Sequence, residues 1–257
     1  IQAKTPKVEW QDTSNLVSAL RIVKSPLEMD YVRKAAKATD AGMLAAINSI
    51  HDGASDYEVS AECSRAMISA GSEHFAFGPF IRPTSRLGEE HTTWRGEVFK
   101  KGDAIFLEIA ANYRKYQSPM GRLVYIGNAP QGVEKSVQLA IDGMKAINGS
   151  IKHGAKAGDV YTAWREVGKK GGLENYERHH CGYVVSIGFP PSWTGGSMVT
   201  ALAPNSQLEL KTGMTFHTHS WFTNTDCVDY FISNTSLLTE NGCEVLTCET
   251  PETLIIK

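Results

Sequence analysis

The chain has 257 residues, with 26 Lys and Arg against 28 Asp and Glu, a formal net charge of −2. Hydrophobic residues make 42% and charged residues 21%, an ordinary globular composition that excludes wholesale disorder. The near-neutral balance leaves no electrostatic footprint for nucleic acid or an anionic membrane surface, and no apolar run approaches the roughly 20 residues of a membrane helix.

Residues 1–24 read as a lead-in. They open Ile1-Gln-Ala-Lys-Thr-Pro6, without a secretory signal and without Met, so a missing upstream segment is expected. Ser25-Pro26-Leu27-Glu28 predicts a helix start, with Ser as N-cap, Pro at the first position and Glu closing a capping box. Val32, Ala35, Ala36, Met43, Ala46, Ile47 and Ile50 carry an apolar stripe to a stop at Asp52-Gly53. A second capping box, Ser55-Asp-Tyr-Glu58, opens a helix that runs to Gly71 and completes a helical hairpin.

The hairpin recurs. Gly42-Met43-Leu-Ala-Ala-Ile47 through Gly53-Ala54 reappears as Gly143-Met144-Lys-Ala-Ile147 through Gly154-Ala155, which points to a duplicated half. Strands are expected at Ala104–Ala111 and 113–127 after the first hairpin. After the second they are expected at 182–189, 214–222 and 231–239. Short turns between consecutive strands favour antiparallel pairing, hence an α+β class in one domain over 1–257. Five cysteines (Cys63, Cys181, Cys227, Cys243, Cys248) with no CxxC pair read as reduced thiols of a cytoplasmic protein.

Ionisable and aromatic residues gather at the strands. Glu108 interrupts the apolar run Ile105 to Ala110, and an unpartnered buried carboxylate costs several kcal/mol, so a salt-bridge partner or a function must offset it. His217 and His219 share one face of a strand, as a possible metal pair or as one core and one site histidine.

Several segments together resemble the pita-bread superfamily of methionine aminopeptidase, prolidase, aminopeptidase P and creatinase. They are Lys24 to Ala36, His91 to Glu108 with Gly102-Asp103, Gly182-Tyr183 to Ser186, Leu210 to Phe216, and Leu237 to Gly242. The resemblance implies a pseudo-two-fold fold, with helical hairpins packed on a curved, mainly antiparallel sheet. It also implies an N-terminal domain absent from this chain, and a homodimer.

Metallopeptidases of that superfamily hold two metals through Asp, Asp, His, Glu and Glu. Here those positions fall on Glu108, Pro119, Tyr183, His219, and Ser233 or Asn234, so the peptidase metal chemistry is expected to be lost and no metal or cofactor is expected. The branch of creatinase and ectoine hydrolase, which works without metal, is similar at Glu90-His91-Thr-Thr-Trp94, Phe106 to Ala110, Arg114 to Arg122, Gly182 to Trp193 and Gly213 to His217. The chain departs from that branch after His217.

The resemblance implies a metal-independent hydrolase of an amidine- or guanidinium-type C–N bond in a small molecule. His91 would serve as base and acid, and Glu108 would orient the cation or attack it. Tyr183 and His217 are candidate donors to the leaving nitrogen or to a substrate carboxylate. Tyr116, Arg122, Trp193 and His219 are candidate substrate contacts, Arg122 being readable as a carboxylate clamp or as a structural ion pair, and Trp94 and Trp193 as stacking or core residues. Two alternatives remain open: an Xaa-Pro-type metallopeptidase with an altered metal set, and an inactive module used for binding.

Overall fold

The computed structural model describes residues 2–89, 91–195, 199–223, 225 and 228–257. Ile1, Glu90 and Cys227, named above, lie outside the described residues.

A short helix α1 (Leu16–Arg21) precedes α2 (Pro26–Ser49), whose predicted capping box forms in full: Ser25 Oγ accepts from Glu28 N and Glu28 Oε2 accepts from Ser25 N. Helix α3 (Asp56–Ser69) forms half of its box. Ser55 Oγ accepts from Glu58 N, but the Glu58 carboxylate lies 3.9 Å from His51 Nε2 instead. The second hairpin is α4 (Val133–Ser150) with α5 (Ala157–Lys170).

The duplication is visible in matched detail. Gly53 and Gly154, the turn glycines of the two hairpins, both adopt positive φ, at 90° and 81°. Gly42 lies against α3, where an added Cβ would stand 2.3 Å from Met67 Cγ. Its counterpart Gly143 lies against α5 and the sheet, where a Cβ would stand 2.3 Å from Ser220 Oγ.

Each hairpin is followed by three strands: β1 (Phe80–Pro83), β2 (Ala104–Tyr113) and β3 (Tyr116–Tyr125), then β4 (Gly182–Val184), β5 (Thr215–Phe222) and β6 (Tyr230–Thr239). The sheet order is β1-β2-β3-β6-β5-β4, so the two triplets meet back to back across β3 and β6. All these pairings are antiparallel. Two short strands complete the sheet: β7 (Gly242–Val245) on β6, and β8 (Ile255–Ile256) parallel to β3. The fold is thus the expected α+β pita-bread arrangement.

The long strand expected over 182–189 stops at Val184. Val185 N still donates to Thr215 O on β5, and the chain then turns away: Ser186 O accepts from Gln117 N while Ser186 N donates to Trp193 O. Strand β1 was not legible in advance; its Arg82 breaks an otherwise apolar stretch.

Strand alternation separates two faces. Ile105, Leu107, Ile109 and Ala111 pack with the first helical hairpin, whereas Phe106 and Glu108 look the other way. On β5, Phe222 and Ser220 meet the second hairpin, while His219 and Trp221 face the opposite side. That helix-free face carries the site.

Candidate active site

The register aligns one row of residues across the sheet. Phe80 pairs with Glu108, Glu108 with Gly121, Gly121 with Ser233, and Ser233 with His219. Glu108 and His219 therefore occupy equivalent positions of the two halves. Position 121 is glycine because the strands approach closely there: a Cβ would stand 2.7 Å from Ser233 Oγ.

Above this row opens a cavity of about 490 Å³, within the size range of small-molecule sites. Glu108, Phe106, His219, Trp221, Tyr183 and Trp193 line it from the sheet and the β4 side. His91, Phe77, Arg82, Arg178 and His180 line it from the loops and from β1. Glu108 is the single carboxylate on the wall among the described residues.

His91 is held in the left-handed region at φ 57°, uncommon for a residue other than glycine, and its ring stacks on Phe77 at 5.5 Å and 9°. The imidazole is solvent-exposed at the cavity wall. His217 lies beneath the surface and is fully buried. Trp193 Nε1 donates to the Tyr183 hydroxyl at 2.8 Å, Tyr183 meets His217 Nδ1 at 3.0 Å, and His217 Nε2 meets Ser233 Oγ at 2.9 Å. Because indole only donates, the assignment that satisfies every group has Tyr183 donating to Nδ1 and Nε2–H donating to Ser233.

Burial holds His217 and His219 well below the ordinary histidine range and brings His180 down to about 3, with nearby imidazoles and, for His180 and His219, the Arg178 charge acting the same way. All three are neutral at pH 7. The 4.0 Å approach of His217 Nδ1 to Glu108 Oε1 is then a dipolar contact, not an ion pair. Burial first, and then the Glu108 charge, push the Tyr183 hydroxyl well above its ordinary range. Tyr183 stays a protonated donor.

Two sequence-derived substrate contacts stand elsewhere. Arg122 is fully buried on the far side of β3 and donates to the backbone oxygens of Pro251, Gly121, Ser233 and Thr250 and to Asn234 Oδ1. Its donors are consumed in tying β3 and β6 to the 250–251 loop, so it is a structural clamp; burial brings its pKa down to about 10. Tyr116 donates to Glu28 Oε1 at 2.7 Å, locking β3 to the start of α2, and does not line the cavity. Trp94 is exposed and outside the wall. Cys181 is buried and donates to Leu202 O, with a thiol pKa raised by burial.

Arg82, Arg178 and Trp221 also line the wall, and sequence alone does not single them out. The nearest signals are Arg82 within an apolar run and the basic cluster Arg178-His179-His180.

The metal question turns on the donors. One atom each from Glu108, His217 and His219 lies within 4.8 Å of the others, and neither ring nitrogen of His219 has a hydrogen-bond partner among the described residues. A dinuclear centre does not fit. It needs several carboxylates, and among the described residues the set offers one; Pro119 has no side-chain donor, and both nitrogens of His217 are already engaged. At most one ion fits these three donors, and it would have to break a hydrogen bond of His217.

A sheet of two back-to-back triplets with paired helical hairpins, its active face at the meeting of the halves, defines a pita-bread enzyme-type domain. The chain belongs to metallopeptidase family M24, which it matches over residues 30–240. It is 30% identical over 262 residues to the ectoine hydrolase of Halomonas elongata, covering 98% of this chain and 64% of that protein. The chain thus spans just under two thirds of that relative's length. It is 25% identical over 239 residues to the Xaa-Pro dipeptidase of Pyrococcus furiosus, covering 93% and 67%. Among solved structures, the Xaa-Pro dipeptidase from Bacillus anthracis superposes with a TM-score of 0.85 at 24% identity, covering 98% of this chain and 68% of that one.

Proposed function

We propose that this chain hydrolyses a C–N bond of a small cyclic amidine, as the ectoine-hydrolase relative's name implies for that protein, without a metal ion. The observation that carries the reading is Glu108, the one wall carboxylate among the described residues, sharing a cavity with a solvent-exposed imidazole, His91, over a described donor set too poor in carboxylates for two metals.

In this reading Glu108 pairs with the amidinium and orients its carbon. His91 takes a proton from water as the water oxygen attacks that carbon. The tetrahedral intermediate then collapses: the ring C–N bond breaks, and the imidazolium returns its proton to the leaving nitrogen. The net result is amidinium plus water to amide plus ammonium, with no redox change. Tyr183, kept protonated, spends its hydroxyl proton on His217 Nδ1 and accepts from Trp193 Nε1, and would have to turn that proton from His217 toward the leaving nitrogen to act as a donor. His217 acts through Tyr183 as a positioning residue.

The donor triad supports a second reading, a one-ion peptidase using Glu108, His217 and His219. Chelation separates the two. Turnover of ectoine should survive EDTA or phenanthroline; loss on chelation with recovery on added Mn²⁺, Fe²⁺ or Zn²⁺, together with cleavage of Xaa-Pro dipeptides, would install the peptidase. A homodimer belongs to the proposal as well. So does a cytoplasmic setting, supported by the free thiols of Cys63, Cys181, Cys243 and Cys248.

A further inference from the structure

Asp56, the first residue of α3, is a fully buried carboxylate outside the chemistry proposed above, and it holds the chain on both sides of His91. After His91, its oxygens accept from three backbone N–H groups: Arg95 N at 2.9 Å, Gly96 N at 2.9 Å and Glu97 N at 3.1 Å. Before His91, the buried Arg86 brings Nη1 to 3.9 Å from Asp56 Oδ2 and donates from the same atom to Glu97 Oε2 at 2.8 Å. Arg86 Nε donates to Glu89 Oε2 at 3.0 Å, and Glu89 O accepts from Thr92 Oγ1 at 2.8 Å. One buried cluster of Asp56, Arg86 and Glu97 therefore closes the base of the stretches 84–89 and 91–97. A buried carboxylate is costly unless it is hydrogen-bonded, and here its acceptors are spent on this loop.

The duplicated half shows that the helical hairpin itself has no need of this carboxylate. Gly53 N donates to Phe99 O and Asp56 N to Glu97 O; in the second half Gly154 N donates to Leu210 O and Ala157 N to Leu208 O. The bridges match too, Ser55 with Val98 and Lys156 with Glu209. The position of Asp56 is thus Ala157 in the second half, where the same backbone ladder forms beside a side chain that can accept nothing. The added acceptor belongs to the half whose returning loop carries His91. That residue holds a φ of 57° with its ring on Phe77 at 5.5 Å, and such a conformation persists only where the surroundings over-determine it.

We propose that Asp56, with Arg86, is a positioning residue that fixes the His91 imidazole at the cavity wall. Its kinetic form rests on the reading of His91 as the proton-transfer group, whereas the placement of the ring is independent of the reaction. Asp56 acts through the backbone of 95–97 and does not line the cavity.

The test compares the full chain with Asp56→Ala, Arg86→Gln and a matched control, Asp40→Ala. Asp40 is likewise buried and accepts from Glu249 N, Thr250 N and Thr250 Oγ1, away from the cavity wall. Both Asp→Ala variants should lower Tm. With ectoine as substrate, well below either melting temperature, Asp56→Ala should lower kcat roughly 10- to 100-fold with KM within about twofold. Asp40→Ala should leave kcat unchanged. In a His91→Ala background, Asp56→Ala should lower kcat no further. Equal losses in the two Asp→Ala variants, or an undiminished loss without His91, overturn the proposal.

Proton NMR of the imidazoles reads the placement without turnover, the His91 signals being assigned by their absence from His91→Ala. Stacking on Phe77 should shift the His91 ring protons upfield; Asp56→Ala should move them back and Asp40→Ala should not. If Asp56→Ala loses that shift but the wild-type chain turns over no ectoine, the placement stands and the hydrolase reading falls. If the His91 signals stay unmoved in Asp56→Ala, the placement falls whatever the turnover. Should Asp56→Ala not fold, Arg86→Gln is read by the same criteria.

Discussion

At the scale of single residues, the site depends on charge being held in some places and removed in others. His91 and His179 sit exposed at the cavity wall, while His217 and His219 are buried and kept neutral. His91→Ala and Glu108→Gln should each lower kcat by roughly 10²–10⁴ with the melting temperature unchanged. Unfolding of either variant would instead mark its side chain as part of the frame. The buried histidines carry a further consequence. Below the ordinary histidine pKa of about 6.5 the unfolded chain binds protons that native His180, His217 and His219 refuse, so unfolded bound protons exceed native ones and stability falls as pH drops. Urea midpoints should be flat from pH 8 to 7. They should then decline between pH 6.5 and 5, each histidine adding at most about 1.4 kcal/mol per pH unit. A His217→Gln variant that leaves this decline unchanged would remove His217 from the account.

Among secondary elements, close approach decides what substitutions cost. An exposed helix would gain about 1 kcal/mol from Gly→Ala, but Gly42 on α2 has Met67 Cγ 2.3 Å from where its Cβ would stand, with Cys63 O at 3.3 Å. Gly42→Ala should therefore cost about 1–3 kcal/mol through overpacking, measurable by urea unfolding. The β3–β6 junction is the second such place, because only Gly121 and Ser233 pair directly and Arg122 ties the strands to the 250–251 loop. Arg122→Met would orphan several buried carbonyls at about 1–3 kcal/mol each. A loss of at least ~3 kcal/mol, or roughly 6–12 °C in Tm, is expected, whereas a substrate-clamp role would show in KM with Tm unmoved.

Considered as a whole molecule, the protein is two similar halves whose equivalent positions carry different chemistry. Glu108 in one half faces His219 in the other, so one carboxylate and one neutral imidazole stand where identical halves would have two like groups. The asymmetry makes the cavity directional, with Arg178 and Trp221 beyond His219 on one side and His91 and Phe77 on the other wall. The proposed homodimer predicts twice the 28.1 kDa chain mass by light scattering at micromolar concentration; a monomer there would refute it.

The hairpins, the duplication and the class are legible in the amino-acid sequence because they rest on local physics: capping serines, 3.6-residue periodicity, turn glycines at matched spacing. Glu108 and His217-Thr-His219 are legible there too, since a charge in an apolar strand and two imidazoles at period two are visible without a fold. Which polar residues serve the cavity is set by contacts between distant parts of the chain. Arg122 and Arg178 look alike in the chain, yet one spends its donors on loop carbonyls inside the sheet and the other keeps them on the cavity wall. That difference is set by which face of a strand, and which returning loop, each guanidinium meets. Such long-range contacts leave no periodicity in sequence, whereas burial and partner geometry settle them at once.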